Sequence, residues 1–327
     1  MAKEILLTGA TGFIGSRLAI ALQAAGHEVR CATRSVDESR ARHPALTWVE
    51  LDLEKPETLA AALAGCDAAF YLVHGMGPGH GDDYPAHEAA SANDFVAAAE
   101  VAKLRRIVYL GGVIPRTGAS KHLRSREHTG EILRLGATPT IELRAAMIIG
   151  AGSASWNMVR DLSRRLPAML LPRWLLNYSY PIAVEDVIRA LIAALDLEEP
   201  SSCVYEIPGP ERVSHRSMLV RTAAAMGRKS RMISVPVLTP RLSSYWIALV
   251  TRTPLALAKE LVEGVRHDLD PLGRSLWDRI ELRRTPLDDA IKMAIADEDA
   301  GAGASLAMTR RLEAIGHRSD PVVRAPA

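Results

Sequence analysis

Cysteine is scarce: Cys31, Cys66 and Cys203 are the three in 327 residues. They make no Cys-x-x-Cys pair and no disulfide framework, which excludes a small disulfide-stapled secreted fold and points to the reducing cytoplasm. Aromatic residues are few, at 5%. No run reaches the roughly 18 uncharged apolar residues that a membrane span requires. The nearest stretches, 166–176 and 235–250, are interrupted by Arg173 and Arg241, and both read as amphipathic helices lying on a core. Excess charge is absent too. Forty Lys and Arg against 38 Asp and Glu leave a net +2, which excludes bulk attraction to nucleic acid or to an acidic membrane surface. The first residues lack a signal-peptide pattern, since a short apolar stretch runs directly into a glycine motif. There is no internal repeat and no linker rich in Pro, Gly or Ser. Arg266, His267 and Asp268 do not have a metal-ligand spacing, and no metal is expected.

What is present is a 48% hydrophobic, 24% charged chain, long enough for one large or two small domains with a real core. Apolar strand patterns at 4–7, 27–33, 46–51, 68–73, 106–110 and 140–149 alternate with helical patterns at 14–25, 58–63, 84–102 and 121–135. This rhythm predicts an α/β fold: a doubly wound parallel sheet with right-handed crossovers and helices on both faces. Residues 1–150 would form this domain, 151–296 a smaller C-terminal α/β capping region interleaved with it, and 297–327 a mobile tail.

The most specific signal is Thr8-Gly9-Ala10-Thr11-Gly12-Phe13-Ile14-Gly15, between the first strand and the first helix. Gly9 would permit the tight turn, Gly12 the approach of a pyrophosphate to the backbone, and Gly15 close packing of helix on strand. The helix N-terminus then offers free N–H groups and the positive end of its dipole to phosphates. Strand before, helix after and a surrounding βαβ unit make this a dinucleotide-binding fingerprint. The end of the second strand reads Thr33-Arg34-Ser35, with no acid before Asp37. An acid there suits a free ribose 2′-hydroxyl and an arginine suits a 2′-phosphate, so Arg34 and Ser35 select NADP(H) over NAD(H). Arg30 either adds charge there or faces solvent.

With the glycine motif, Arg34, Asp52-Leu53 after the third strand and Tyr71-Leu72-Val73-His74 after the fourth, the chain resembles the short-chain dehydrogenase/reductase superfamily. The spacing is similar to its extended and atypical branches, including NmrA-like proteins and the accessory Rossmann subunit of respiratory complex I. Tyr180-Pro181-Ile182-Ala183-Val184-Glu185-Asp186-Val187 and Tyr205-Glu206-Ile207-Pro208-Gly209-Pro210 are similar to late segments of extended members. The resemblance implies that Thr11, Gly12, Phe13 and Ile14 line the pyrophosphate, that Asp52 and Leu53 meet the adenine, and that Leu72, Val73 and His74 run along the ribose toward the nicotinamide. From the residues alone, Asp52 is equally a turn cap and His74 equally a satisfied loop histidine.

The chain departs from that family at the catalytic positions. Active members place a Ser after the fifth strand and a Tyr and Lys four apart on the next helix. Here stand Gly111-Gly112 and then His122-Leu123-Arg124-Ser125-Arg126, with no Tyr between Tyr109 and Tyr178. His122 and Arg126 share one helix face. They are the candidate catalytic residues, His122 as an acid and Arg126 as a holder of ribose or a substrate anion. The alternative is a solvated face shared with Lys121, Arg124, Glu127 and Glu131. Residues 153–166 read as a helix with Trp156, Val159, Leu162 and Leu166 at core spacing. Arg144, inside the sixth strand, requires a partner such as Glu142 or Glu131, or a bound phosphate. Tyr178 and Tyr180 are either substrate contacts or packing. The window 238–262, with Tyr245 and Trp246, covers either a lipophilic cleft or simply the domain. The expectation is an NADPH-dependent oxidoreductase of a small to medium, partly apolar molecule. A non-catalytic nucleotide sensor or assembly factor and a nucleotide-sugar epimerase or dehydratase are the alternatives. The resemblance also allows a homodimer, since many relatives pair through helices like 84–102 and 121–135.

Overall fold

The computed structural model describes residues 2–74, 83–165, 168–171, 173–228, 231–234, 244–245, 248, 251, 254–300, 306–317 and 322–323. Its centre is a sheet built from β1 (Glu4–Leu7), β2 (Glu28–Thr33), β3 (Thr47–Glu50), β4 (Ala68–Tyr71), β5 (Arg106–Gly112), β6 (Thr140–Ala145) and a last strand, Cys203–Glu206. The seven strands are all parallel, in the order Cys203–Glu206, β6, β5, β4, β1, β2, β3. This is the doubly wound, Rossmann-type α/β fold read from the strand–helix rhythm. The order reverses beside β1, which is where such sheets open a ligand crevice at their carboxyl ends. β4 shows why the strands read as unbroken apolar runs: all four of its residues are buried, because helices cover both faces.

On one face, α1 (Gly15–Ala24) and α7 (Val184–Ala194) pack Leu18, Leu22, Val187 and Leu191 over Ile5, Leu7 and Phe70. On the other, α3 (Pro56–Leu63), α4 (Tyr84–Val101) and α5 (Lys121–Leu135) bury Leu59, Phe95 and Leu133 against Leu6, Tyr71 and Tyr109. A separate apolar cluster joins α6 (Ala154–Arg165), α8 (His215–Ala225) and the helices Leu255–Gly264 and Leu287–Asp299 through Trp156, Val159, Leu162, Met218 and Ile291.

Four details differ from the sequence reading. Between β2 and β3 lies a helix, α2 (Val36–Arg42), that the apolar pattern did not announce. Only Ser39 of it is buried, so it has no apolar stripe; its acids in the first turn and arginines in the last suit the helix dipole instead. The sixth strand is not continuous. The chain leaves the sheet after Ala145, and Ile148–Ile149 pairs with Ile182–Ala183. The 166–176 stretch is not an amphipathic helix. Ala168–Leu171 is a strand parallel to Arg231–Ser234, and Arg173–Leu176 is a single 3-10 turn. Pro167 and Pro172 bracket that strand in the sequence and oppose a helix through it. Most of 235–250 lies outside the described residues, and so does Leu166.

The fourth difference is the C-terminus. Much of the segment read as a mobile tail is a docked helix, Leu306–His317, which buries Met308, Leu312 and Ile315. Arg311 ties it to Glu185 of α7 at 3.1 Å and to Asp297 at 2.6 Å. Gly316 lies so close to α1 that a Cβ on it would sit 2.2 Å from the Ala21 carbonyl oxygen. Val322–Val323 adds an antiparallel pairing to Ile280–Glu281. Two substitutions test this docking. Leu312→Ala should cost about 2–5 kcal/mol through lost burial and a cavity, and Gly316→Val about 1–3 kcal/mol through overpacking. Urea unfolding measures both; a helix that does not pack would leave each within about 0.5 kcal/mol of the parent.

Candidate active site

The turn after β1 is shaped by close approach of backbone to backbone. Gly9 has φ +66°, and a Cβ there would lie 2.6 Å from the Leu72 carbonyl oxygen. Gly12 donates its N–H to the Gly9 carbonyl at 2.9 Å. A Cβ on Gly15 would meet that same carbonyl oxygen at 2.2 Å. Thr8 fastens the turn to β4, its hydroxyl donating to the Phe70 carbonyl and accepting from the Leu72 N–H, each at 3.0 Å. No side chain caps the N-terminus of α1, so its first N–H groups and its dipole face the crevice. That arrangement fits a dinucleotide pyrophosphate. Arg17 braces the loop from behind: it donates to the Phe13 carbonyl at 2.8 Å and the Ala151 carbonyl at 2.6 Å, with its guanidinium 4.5 Å from the Phe13 ring centre.

Arg34 and Ser35 follow β2 and are exposed. Among the described residues Arg34 has no hydrogen-bond or ion-pair partner, so its guanidinium is open to a ligand. Arg30 is committed elsewhere, paired with Glu4 at 2.6 Å. Asp52 acts locally as a turn residue, its carboxylate accepting the Glu54 N–H at 3.2 Å before α3, and Leu53 is buried in the core. Leu72 and Val73 are half-buried beyond β4, and the His74 ring stands edge-on to Tyr109 with centroids 6.2 Å apart.

From the glycine turn a single cleft of about 450 Å³ runs past Leu72 and His74 to His122 and Arg126 of α5. Its far walls are apolar, formed by Val113, Met158, Leu162, Leu219, Leu261 and Leu269. The Ser120 hydroxyl caps α5 by accepting the Leu123 N–H at 3.3 Å, and the buried Tyr109 hydroxyl donates to the Arg126 carbonyl at 2.9 Å. These contacts turn one face of α5 into the cleft and bring His122 and Arg126 together there. His122 Nδ1 and Arg126 Nε are shut off from solvent without a hydrogen-bond partner among the described residues. Burial, reinforced by Arg126, pushes the His122 imidazole down to about 3. His74 lies well below its usual range, through burial and then Arg126 and His122. Burial takes His215, at the start of α8, down to about 4. The cleft thus holds three neutral imidazoles at physiological pH. His122 can hydrogen-bond there, but it does not carry the imidazolium proton that the acid role assumed.

The two glycines in the place of the family's serine have separate causes. A Cβ on Gly112 would face the cleft, 3.1 Å from Leu123 Cδ2 and 3.9 Å from Arg126 Cδ. A Cβ on Gly111 would sit 2.9 Å from Glu142 Oε1, and one on Gly130 of α5 2.5 Å from Glu142 Oε2. Glu142 is buried between Arg144, at 2.7 Å, and Arg134. Arg144 therefore has the strand partner its burial demands; Glu131 is engaged by His128 instead.

Sequence reasoning missed Glu260 and His215, which also line the cleft. The available signal was Glu260 within the apolar face of Leu255–Gly264. Tyr178 and Tyr180 are not among the lining residues; Tyr178 is 39% exposed and stacked under Arg212 at 4.1 Å. Asp268 pairs with Arg212 at 2.9 Å, and Arg266 and His267 line a separate polar pocket.

Residues 9–160 match the model of a family described as NAD(P)H-binding. The chain is 40% identical over 70 residues to a 3-beta-hydroxysteroid dehydrogenase of Mycolicibacterium neoaurum, covering 21% of this chain and 19% of that protein. It is 32% identical over 113 residues to a 2-alkyl-3-oxoalkanoate reductase of Shewanella oneidensis, covering 33% and 28%. The matches thus span under a third of either curated relative. The solved structure of Citrobacter sp. triphenylmethane reductase complexed with NADP(H) shares the fold with a TM-score of 0.70 at 17% identity, over 89% of this chain and 99% of that one. The comparisons thus support an NAD(P)H-binding region over residues 9–160 and the Rossmann-type fold of the chain.

Two measurements follow from this geometry. Gly15→Ala forces a methyl against the Gly9 carbonyl, so nucleotide affinity should fall by at least tenfold, about 1.4 kcal/mol, in a fluorescence titration. The second concerns pH. An unfolded histidine takes up its proton near pH 6.5, whereas folded His122 does so only near 3. Its contribution to stability is therefore full above about pH 6.5 and is lost as pH falls toward 3. His74 and His215 have the same sign. Glu206, raised to about 7 by burial, opposes them, because the folded state keeps a proton that the unfolded state releases. Only a difference measurement isolates His122: His122→Gln should lessen the loss of unfolding free energy between pH 7 and pH 5. An unchanged slope would place His122 in solvent.

Proposed function

We propose that this chain is a cytoplasmic NADPH-dependent oxidoreductase acting on a small to medium, partly apolar carbonyl or enone compound. The observation that carries this reading is the continuity of the cleft. One space of about 450 Å³ joins the glycine turn to an apolar chamber through His74, His122 and Arg126. A dinucleotide whose pyrophosphate rests on Thr11, Gly12, Phe13 and Ile14 would extend its nicotinamide past Leu72 and Val73 toward that chamber. Bound there, the cofactor supplies a hydride. The chain's part is to hold the acceptor carbon close to it in a space free of water. Leu162, Leu219, Leu261 and Leu269 provide that dryness. Arg126, whose Nε has no hydrogen-bond partner among the described residues, keeps its charge and is suited to hold the ribose or an anionic group. The reductases among the compared proteins support the same class of chemistry. Arg34 and Ser35 would clamp the 2′-phosphate, with charge-assisted hydrogen bonds from the open guanidinium.

A nucleotide sensor or assembly factor is the second reading, and the glycine at the serine position together with the missing tyrosine favours it. Consumption of NADPH with any carbonyl substrate separates the two. The cofactor assignment has its own test. NADPH should bind at least tenfold tighter than NADH, and Arg34→Ala should erase that preference, a change of roughly 1.4 kcal/mol. If neither nucleotide binds at micromolar concentration, the redox reading falls.

A further inference from the structure

The reduction proposed above needs a proton as well as a hydride, and among the described residues no tyrosine lines the cleft to give it. Four of the ionisable side chains that line the cleft can be examined in turn. His74, His122 and His215 are neutral imidazoles, and a guanidinium such as Arg126 does not release its proton in this pH range. The fifth group is Glu260. It lines the same cleft from the helix Leu255–Gly264, opposite α5. Its carboxyl group accepts the backbone N–H of His122, which fixes the side chain across the cleft from that helix. Its Oε2 is shut off from solvent and has no hydrogen-bond partner among the described residues.

We infer that Glu260 is the proton donor of the cleft, giving its Oε2 proton to the carbonyl oxygen of an apolar substrate. This inference rests on the oxidoreductase reading. A carbonyl carbon accepts the hydride of NADPH and forms the new C–H bond. The carbonyl π pair moves onto oxygen, and that oxygen takes the proton as the Glu260 O–H bond breaks. The products are the alcohol, NADP+ and a Glu260 carboxylate, which solvent reprotonates. The His122 N–H steadies the carboxylate while the charge exists. Burial raises the Glu260 carboxyl above the usual range, and Glu263 on the same helix adds to this. The His122 N–H, and after it Lys121 and Arg124 on α5, act in the other direction. The neutral His122 ring and the Arg126 cation line the same cleft.

Glu260→Gln keeps the volume and an acceptor for the His122 N–H, so the helix packing survives while the acid is lost. Infrared titration of the full chain without nucleotide reads the acid directly. A protonated-carboxyl absorption present in the parent at pH 6 should be missing from Glu260→Gln. Identical spectra at pH 6 would overturn the inference, because no proton would be there to give. With NADPH and benzylideneacetone as probe substrate, Glu260→Gln should lower kcat by about 100-fold or more and lose the fall in rate at high pH. Its dissociation constant for NADPH should not change. An unchanged kcat also overturns the inference. If NADPH does not bind to the parent, the functional reading fails instead, and the infrared comparison still decides the state of Glu260.

Discussion

The Gly15-to-Gly9 approach is the constraint on which the rest of the structure hangs. A single methyl at residue 15 would stand 2.2 Å from the Gly9 carbonyl oxygen, so α1 can start where it does only if that methyl is absent. This start lets Leu18 and Leu22 reach Ile5 and Phe70 in the core. It also leaves an uncapped helix end at the point where the strand order reverses. Packing and ligand chemistry therefore depend on the same contact. A side chain capping α1 would satisfy the helix and close the crevice.

A second constraint comes from charge. Burying Glu142 in a central strand is expensive unless it is paired on both sides, and Arg134 and Arg144 supply that pairing. The carboxylate then occupies the volume where side chains of residues 111 and 130 would begin, which explains glycine at both. Part of the departure from the family's catalytic pattern is thus a packing consequence of a buried ion cluster, not a simple deletion of chemistry. Gly112 is different. It faces Leu123 and Arg126 and widens the cleft where a longer side chain would narrow it.

The parallel sheet and its two helix layers were legible because each strand carries an apolar run and each long helix an apolar period. The glycine motif was legible because three backbone approaches need three glycines at fixed spacing. α2 was not, since only one of its residues is buried. The docked C-terminal helix was hidden for a related reason: its apolar positions, Met308, Leu312 and Ile315, follow a run of Ala and Gly that masks their period. In the site, His122 and Arg126 could be placed on one helix face from spacing alone. Their surroundings could not, because the shift of His122 depends on burial by elements more than a hundred residues away, such as Leu255–Gly264. Glu260 was illegible as a site residue on the same ground: in sequence it is one acid in an apolar helix, and only the fold sets it against the α5 N-terminus.

The cleft's polarity then follows from its dryness. In an apolar chamber each ionisable group moves toward its neutral form, imidazoles by losing a proton and carboxyls by keeping one. The histidines and Glu260 shift in these opposite directions for one reason. These directions favour a proton on the carboxyl group over one on the imidazoles. This reverses the division of labour that residue types alone suggest. Arg126 is the exception that keeps its charge, because a guanidinium gives up its proton too reluctantly for burial to remove it. Its charge adds to burial in keeping the neighbouring imidazoles neutral, and it leaves a fixed cation beside them. A ligand that suits this space is apolar in its body, with an oxygen able to accept a proton and at most one negative group.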